Sequence, residues 1–274
     1  MKKGLLKKIF AVAMIGVMSL SLMACGNKEE EDMLSKIKKD GKITVGMSID
    51  YAPYEFYVME NGEKKMTGLD IEVVKEIAKD LGVDYKIEEM EFATICESVK
   101  NGMINIGVSG LTPTDERKEI IDFSDSYLAA EQGILINKKD AGKIKSLKDL
   151  KGLKVGAQNG SIQAQIAEGI EGGADLKFLA EVPTLIQDLR AGNLDAVIVE
   201  LPVADIQAVV NTELAVAEEK VEYEEGGNAI GVPKGQEALL KEINKTLKRL
   251  QDEGKIDQYY KGAVNKSKDE VTAE

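Results

Sequence analysis

The chain has 274 residues, 36 of them basic and 48 acidic, which gives a formal net charge of −12. An acidic body of this kind disfavours nucleic-acid binding. The sequence contains no histidine, which excludes Ser-His-Asp and Cys-His nucleophilic sites and histidine-ligated zinc. Its two cysteines, Cys25 and Cys96, are too few for a thiolate metal cluster. We therefore expect neither a metal nor a cofactor.

The N-terminus carries the pattern of an export signal. A basic stretch, MKKGLLKK, precedes an apolar run, IFAVAMIGVMSLSLMA, which is short for a membrane span. The run ends at LMAC, which resembles the bacterial lipobox, and the resemblance implies cleavage before Cys25 and a lipid on its sulfur. We predict a signal peptide over 1–24 and a polar tether over 25–37, with an uncleaved N-terminal anchor as the alternative.

Strand and helix patterns alternate through the rest of the chain. An apolar period of 3.6 residues predicts a helix over 68–82, with Asp70 near its start and Gly82 at its end. Further helices are predicted over 92–102, 146–152, 161–169, 182–192, 203–211, 236–254 and 255–264. Strands are predicted over 42–48, 84–90, 104–110, 132–137, 153–158, 175–181, 194–200, 214–219 and 228–234. This alternation predicts an α/β protein with mostly parallel sheets covered by helices on both faces. Cys96 falls in a helical pattern and is expected to be a small buried side chain.

Two stretches resemble each other, ESVKNGMINIGVSGL at 97–111 and QDLRAGNLDAVIVEL at 187–201. Each reads as a helix, a glycine cap and a buried strand. The strand exits carry SGLT at 109–112 and Glu200. Because ligands of open α/β sheets bind outside the carboxyl ends of the strands, the two exits would meet at one cleft if the copies belong to facing lobes. The alternative is that any helix-glycine-strand unit has this pattern.

The segment SGLTPTDER, which ends at Arg117, contains one of only three arginines in the chain. We predict a helix start here, with Thr112 as N-cap and Pro113 at the first helical position. Arg117, one turn into that helix, has the planar fork that grips a carboxylate through two parallel hydrogen bonds, which lysine cannot do. The alternative is an ordinary solvated arginine on the surface of a charged helix.

From Gly41 to about Val264 the chain resembles the bacterial extracellular solute-binding proteins of family 3, the polar amino-acid receptors of ABC importers. The resemblance is carried by GKITVGMSIDYAPYEFY, GLDIEVVKEIAKDLG, NIGVSGLTPTDERKEIIDFSDSY, KVGAQNGSIQ and LDAVIVELPVA. It implies a two-lobed, periplasmic-binding-protein-like type II fold, each lobe a mostly parallel sheet flanked by helices. The implied lobes are 38–129 plus 228–266 and 130–227, with hinge crossings near LAAEQ and EGGN and a polar tail over 267–274.

The resemblance also implies how the backbone of an amino acid would be held. Arg117 corresponds to the arginine that clamps the ligand α-carboxylate, helped by the Thr112 hydroxyl and the Gly110 backbone, with Ser109 at the mouth of the same loop. Glu200 takes the position of the acidic residue for the α-ammonium group, where the family more often has Asp.

The remaining implied contacts come from both lobes. Backbone N–H groups of Ser161 and Ile162 would reach the ligand carboxylate from the second lobe. Tyr51 and Phe92 correspond to aromatic rings that sandwich the ligand side chain, while Gln158 is expected to face the side-chain pocket. For Tyr54 we expect core packing instead.

The resemblance predicts a monomeric, non-enzymatic protein that captures a free L-amino acid and delivers it to ABC permease subunits, held to the membrane through the Cys25 lipid on the outer face of the cell. Ser48 lies where relatives with cationic ligands carry an acid, so a neutral polar, aromatic or sulfur-containing ligand is slightly favoured, unless Asp50 or Glu55 substitutes. The alternatives are a cyclohexadienyl-dehydratase-like enzyme that recruits Glu200 or Asp50, and a surface adhesin or sensory receptor.

Overall fold

The computed structural model describes residues 32–221, 223 and 226–271. The predicted signal peptide, the lipidation site Cys25 and the first residues of the predicted tether lie outside these ranges. Across the described ranges, no helix is both long enough and apolar enough to cross a membrane.

Strands and helices alternate along the described chain. The strands are β1 Lys42–Met47, β2 Phe56–Glu60, β3 Glu63–Thr67, β4 Asp84–Glu89, β5 Ile106–Gly107, β6 Ile121–Phe123, β7 Gln132–Asn137, β8 Lys154–Gln158, β9 Asp175–Leu179, β10 Ala196–Glu200, β11 Leu214–Val216 and β12 Gly231–Pro233. The α-helices are α1 Met33–Asp40, α2 Leu69–Leu81, α3 Ile95–Lys100, α4 Asp115–Ile120, α5 Ile162–Glu168, α6 Val182–Ala191, α7 Leu201–Val210, α8 Glu237–Asp252 and α9 Lys255–Val271. Short 3₁₀ turns include Phe92–Thr94 and Leu147–Leu150.

The strands form two five-stranded sheets and a hairpin. The first sheet has the order β4-β1-β5-β12-β6, and the second has the order β11-β7-β10-β8-β9. The first sheet thus draws strands from both ends of the chain, and the second only from its middle. The chain builds most of one lobe, crosses to build the other, and returns. We call the lobe of the first sheet lobe 1 and that of the second sheet lobe 2.

The expectation of mostly parallel sheets is confirmed: in each sheet four of the five strands run in the same direction, and one strand, β12 or β7, runs against them. The pairs β1–β4, β1–β5, β8–β9 and β8–β10 are parallel. Within the two five-stranded sheets, each antiparallel pair includes β7 or β12. These are the first strands after each crossing. They enter their sheets from the other lobe, and so run against their neighbours.

The two crossings lie side by side. The N–H of Asn228 donates to the Leu128 carbonyl at 2.8 Å, and the N–H of Tyr127 donates to the Asn228 carbonyl at 2.9 Å. Gly227 makes this approach possible, since a Cβ there would stand 1.9 Å from the Leu128 oxygen. The lobes are therefore joined by a paired two-strand connection.

Helix α2 shows why the apolar period was a good predictor. Its inward residues Ile71, Val74 and Ile77 are each 1% exposed. Gly82 ends the helix with φ of 70°, the left-handed conformation that glycine adopts without a Cβ penalty. The penultimate helix α8 contacts α2 through Arg249, whose Nη2 lies 2.7 Å from Glu76 and 2.8 Å from Asp80. The chain end thus returns to lobe 1.

Three segments differ from the sequence-based expectation. Helix α1 begins at Met33 and buries Ile37, so this part of the predicted tether is folded. The hairpin β2–β3 was not expected; its second strand, EKKMT, is largely polar. Helix α9 extends to Val271, into the predicted polar tail, and Ser267 within it is 5% exposed. Cys96, expected to be buried, is half-buried.

Candidate functional site

The loop before Arg117 is shaped by a helix cap two residues later than expected. Helix α4 begins at Asp115, and Thr114, rather than Thr112, is its N-cap: the Thr114 hydroxyl accepts from the Arg117 N–H at 3.2 Å. Pro113 lies in a tight turn in which the Thr114 N–H donates to the Thr112 carbonyl at 3.0 Å, and the helix begins after this turn. Thr112 is 2% exposed and lines a pocket between the lobes.

The Arg117 side chain spans the two lobes. Its Nη1 donates to the Thr112 carbonyl at 2.8 Å, and its Nη2 donates to the Gly160 carbonyl of lobe 2 at 3.1 Å. The guanidinium carbon stands 5.3 Å from the centre of the Phe92 ring, within range of a cation–π contact. Arg117 is thus an interlobe residue, which excludes the alternative of a purely solvated surface arginine.

Two buried carboxyl groups hold the loop SGLT, residues 109–112, through hydrogen bonds. Asp70 is fully buried and accepts from the Gly110 N–H at 2.9 Å and from the Tyr127 hydroxyl at 2.7 Å. Glu55, also fully buried, accepts from the Ser109 hydroxyl at 2.7 Å. Burial, together with the charge of Asp70, raises the pKa of Glu55 well above its usual range.

This support corrects the expected role of Gly110. Its N–H points down to Asp70 rather than into the pocket. Gly110 nevertheless lines the pocket, with φ of 56° and the Glu200 carboxylate close by: a Cβ at Gly110 would stand 4.0 Å from Glu200 Oε1. Ser109 lies behind the loop, with 1% of its surface exposed, and does not line the pocket.

Lobe 2 supplies the opposite wall through β8 and the start of α5. Ser161 caps α5: its hydroxyl accepts from the Ala164 N–H at 3.1 Å, and its backbone N–H donates to the Gln158 carbonyl at 3.2 Å. Ser161 is therefore occupied in holding the turn and does not line the pocket, contrary to its expected contact. Ile162, Gln158 and the unpredicted Gln163 do line it.

Glu200 is the buried acid of the pocket. It ends β10, is 1% exposed, and its N–H donates to the Tyr51 hydroxyl at 2.8 Å. Burial raises the pKa of Glu200 from 4.5 to about 7, and the neighbouring Tyr54 hydroxyl and Asn228 amide oppose this only in part. A cationic group beside Glu200 would favour its ionised form.

The two aromatic residues expected at the site both line the pocket. Tyr51 is stacked on Tyr54, with ring centres 5.6 Å apart, and Tyr54 is fully buried, as expected for a core residue. Phe92 is half-buried and stands beside Arg117. The aromatic wall thus lies on lobe 1.

The pocket brings together eight of the ten residues expected to bind a ligand: Tyr51, Phe92, Gly110, Thr112, Arg117, Gln158, Ile162 and Glu200. The sequence interpretation missed three amide side chains around it. Gln163 donates to Gln132 at 2.7 Å, Gln132 pairs with Glu200 across β7 and β10, and Asn228 lies 3.5 Å from the Glu200 carboxylate. Gln132 is the first residue of the apolar strand β7, directly after a crossing. A polar residue at the start of a buried apolar strand is a sequence signal for a buried polar side chain.

Nothing in the described residues groups three or more side chains that could ligate a metal. The pocket instead presents one guanidinium and one carboxylate from opposite lobes, with hydroxyl and amide groups between them. A two-lobed α/β fold with such a pocket is that of a solute-binding protein. Residues 43–265 match the family of bacterial extracellular solute-binding proteins, family 3, and the chain belongs to it.

Characterised relatives align with nearly the whole chain. The arginine-binding extracellular protein ArtP of Bacillus subtilis is 34% identical, over 93% of this chain and 97% of its own. The L-cystine-binding protein TcyJ of Escherichia coli is 32% identical, over 89% and 91%.

Two solved structures have a fold similar to that of this chain. The substrate-binding protein AbpA of Streptococcus pneumoniae, crystallised with L-arginine, gives a TM-score of 0.83 at 35% identity, over 85% of this chain and 98% of its own. The ancestral amino acid-binding protein AncCDT-1, a precursor of cyclohexadienyl dehydratase, gives 0.77 at 32% identity, over 84% and 99%.

Proposed function

We propose that the protein captures a free L-amino acid between its lobes and delivers it to an ABC importer. The observation that carries the proposal is the placement of Arg117 and Glu200 on the same pocket from opposite lobes. A zwitterion brought out of water needs an anion for its ammonium group and a cation for its carboxylate, and these two residues supply both.

In this proposal the ligand carboxylate lies against Arg117 and the Thr112 hydroxyl, replacing part of the main-chain bonding of the guanidinium. The ammonium group lies against Glu200, which Tyr51 and Asn228 hold in place. The ligand carboxylate is also proposed to accept a hydrogen bond from the backbone N–H of Ile162, on lobe 2. Since each lobe holds one charge of the ligand, binding favours the closed arrangement over the open one.

The side-chain specificity is a separate question. Ser48 and the aromatic residues Tyr51 and Phe92 favour a neutral polar, aromatic or sulfur-containing amino acid. The carboxylate of Asp50, 3.3 Å from the Gln158 amide in the pocket wall, favours a basic one, and AbpA was crystallised with L-arginine. A thermal-shift screen of the twenty L-amino acids decides between them, because a ligand of the native state raises Tm by mass action.

We propose further that the protein acts as a monomer on the outer face of the membrane, held by lipid on Cys25. Support comes from the lipobox-like LMAC and the extracellular family. Intact-mass analysis of protein from membranes tests the anchor: a diacylglyceryl mass on Cys25 supports it. An unmodified N-terminus excludes it.

The proposal includes no catalysis. Relatives of this fold include a precursor of an enzyme, so the alternative of a dehydratase has a structural basis. Glu200 is the buried acid that such chemistry would use, whereas in our account it holds an ammonium group. Mass spectrometry of the solute before and after incubation separates the two: the solute is recovered unchanged from a binding protein, whereas a dehydratase removes water from it.

A further inference from the structure

The side chain of Asp50 connects the two lobes away from the Arg117–Glu200 pair. It belongs to the loop after β1 in lobe 1, and its Oδ2 accepts from two groups of lobe 2: the Val182 N–H at 2.9 Å and the Gln158 amide nitrogen at 3.3 Å. Its Oδ1 accepts from the Ser48 hydroxyl of its own loop at 2.9 Å. Both carboxylate oxygens are therefore engaged, one within the lobe and one across the cleft.

The contact with Val182 supplies a cap that helix α6 lacks. The N-cap residue Glu181 makes no capping hydrogen bond with its side chain. The first N–H groups of a helix have no partner inside it, and a carboxylate there is stabilised by hydrogen bonding and by the helix dipole. Asp50 takes this role from the opposite lobe, so the cap exists only while the lobes are together.

The contact with Gln158 reaches the pocket itself. Gln158 lines the pocket, and its amide nitrogen donates to Asp50 and to the Ala180 carbonyl at 3.0 Å. An amide has two N–H donors, and these two acceptors use both. The carbonyl oxygen of Gln158 is then the group that faces a ligand, which suits a ligand side chain that donates a hydrogen bond.

We propose that Asp50 is a positioning residue of the binding site: it holds lobe 2 against lobe 1 by capping α6, and it orients the Gln158 amide so that its oxygen reads the ligand side chain. The second half of this proposal, the orientation of the Gln158 amide toward a ligand, rests on the proposed function. The first half concerns the protein without ligand and is tested separately.

Hydrogen exchange of the Val182 amide in the ligand-free protein tests the cap. Asp50→Ala is expected to speed this exchange by about tenfold or more, because the hydrogen bond that protects it is lost. Ser48→Ala, which removes only the contact within lobe 1, and Glu181→Gln, which changes the adjacent carboxylate, serve as controls and are expected to stay within about twofold. Unchanged exchange in Asp50→Ala would refute the cap.

Calorimetry with L-glutamine and L-glutamate tests the orientation of Gln158. These two probes share a carbon skeleton and differ at the end of the side chain, where glutamine carries a neutral amide with two N–H donors and glutamate a negatively charged carboxylate that only accepts. Asp50→Asn replaces one acceptor oxygen by a donor, so the Gln158 amide is free to turn and the ratio of the two affinities is expected to fall by about fivefold or more. L-arginine and L-citrulline form a second pair of probes.

The outcomes are distinct. An unchanged ratio in Asp50→Asn, with binding that still depends on Arg117, overturns the role of Asp50 and leaves the proposed function intact. Binding of no amino acid by the wild type overturns the proposed function and the orientation of Gln158, while the exchange of Val182 still decides the cap.

Discussion

Arg117 of α4 and Glu200 at the end of β10 face one pocket from opposite lobes, although they are 83 positions apart in the chain. The loop SGLT and the strand end that carries Glu200 come from the two similar helix-glycine-strand units. Their convergence places a permanent cation and a titratable acid in the lining of one small pocket between the lobes.

Replacing Arg117 is expected to remove most of the binding. Arg117→Ala leaves the ligand carboxylate unpaired, which costs about 3–5 kcal/mol, and Arg117→Lys is expected to recover only part because it lacks the planar fork. Titration calorimetry with the amino acid that gives the largest thermal shift measures the effect. Arg190→Ala is the matched control, since Arg190 pairs with Glu213 on the surface. Equal losses in both variants would contradict the assignment.

Glu200 is expected to make stability depend on pH. Its pKa is raised from 4.5 to about 7 in the folded protein, so between these values the folded state binds more protons than the unfolded one. Stability therefore falls as pH rises from about 4.5 to 7, by roughly 3 kcal/mol from this group. Ligand-free melting curves of wild type and Glu200→Gln measure it: the difference in Tm between them grows with pH. A constant difference would contradict the shift.

The same group gives ligand affinity the opposite dependence on pH. An ammonium ligand pairs with ionised Glu200, so affinity is expected to weaken as pH falls below about 7, the pKa of this carboxyl in the ligand-free protein. Calorimetry at pH 5.5 and 7.5 checks this. Glu200→Gln is expected to bind more weakly and without this pH dependence, because the amide does not ionise over this range. Wild-type affinity that is independent of pH would exclude Glu200 as the ammonium site.

Gly160 is expected to be required for closure. It has φ of 72°, and a Cβ there would stand 2.8 Å from the Ala93 Cβ of lobe 1. Gly160→Ala thus adds a clash between the lobes to the local strain, and we expect affinity to fall at least tenfold or so. Gly152→Ala is the matched control, with φ of 71° and open space around it. If both variants bind like the wild type, the lobes do not close at this point.

Tyr127 is expected to stabilise the Arg117 loop through Asp70. Tyr127→Phe removes the donor to a fully buried carboxylate, which costs about 1–3 kcal/mol. The same change at Tyr259, whose hydroxyl lies 3.1 Å from Glu76 in a half-exposed position, is expected to cost less. Urea unfolding of both variants measures the costs. Unfolding of Tyr127→Phe at the same urea concentration as the wild type would show that stability does not depend on this bond.

Local sequence patterns predicted the helices and strands that depend on neighbouring residues in the chain. The apolar period and Gly82 located α2, and the repeated units located β5 and β10. The hairpin β2–β3 carried its own signal, Asn61-Gly62, with φ of 56° and 81°, which suits a tight hairpin turn. It was missed because its second strand, EKKMT, is largely polar and shows no alternation.

Long-range relationships were beyond the sequence pattern. The directions of β7 and β12 depend on crossings between lobes, and the cap at Thr114 depends on how Pro113 turns the chain. The Gly110 N–H was expected to face a ligand, but the buried carboxylate of Asp70, 40 positions away, takes it. Resemblance located the pocket residues; the amides around them became visible only in the fold.

A crystal structure of the protein with the amino acid identified in the thermal-shift screen tests the central claim most directly. The account predicts the ligand carboxylate within hydrogen-bonding distance of the Arg117 guanidinium and its amine within the same distance of the Glu200 carboxylate. A ligand bound elsewhere, or with Arg117 turned away from it, would contradict the account.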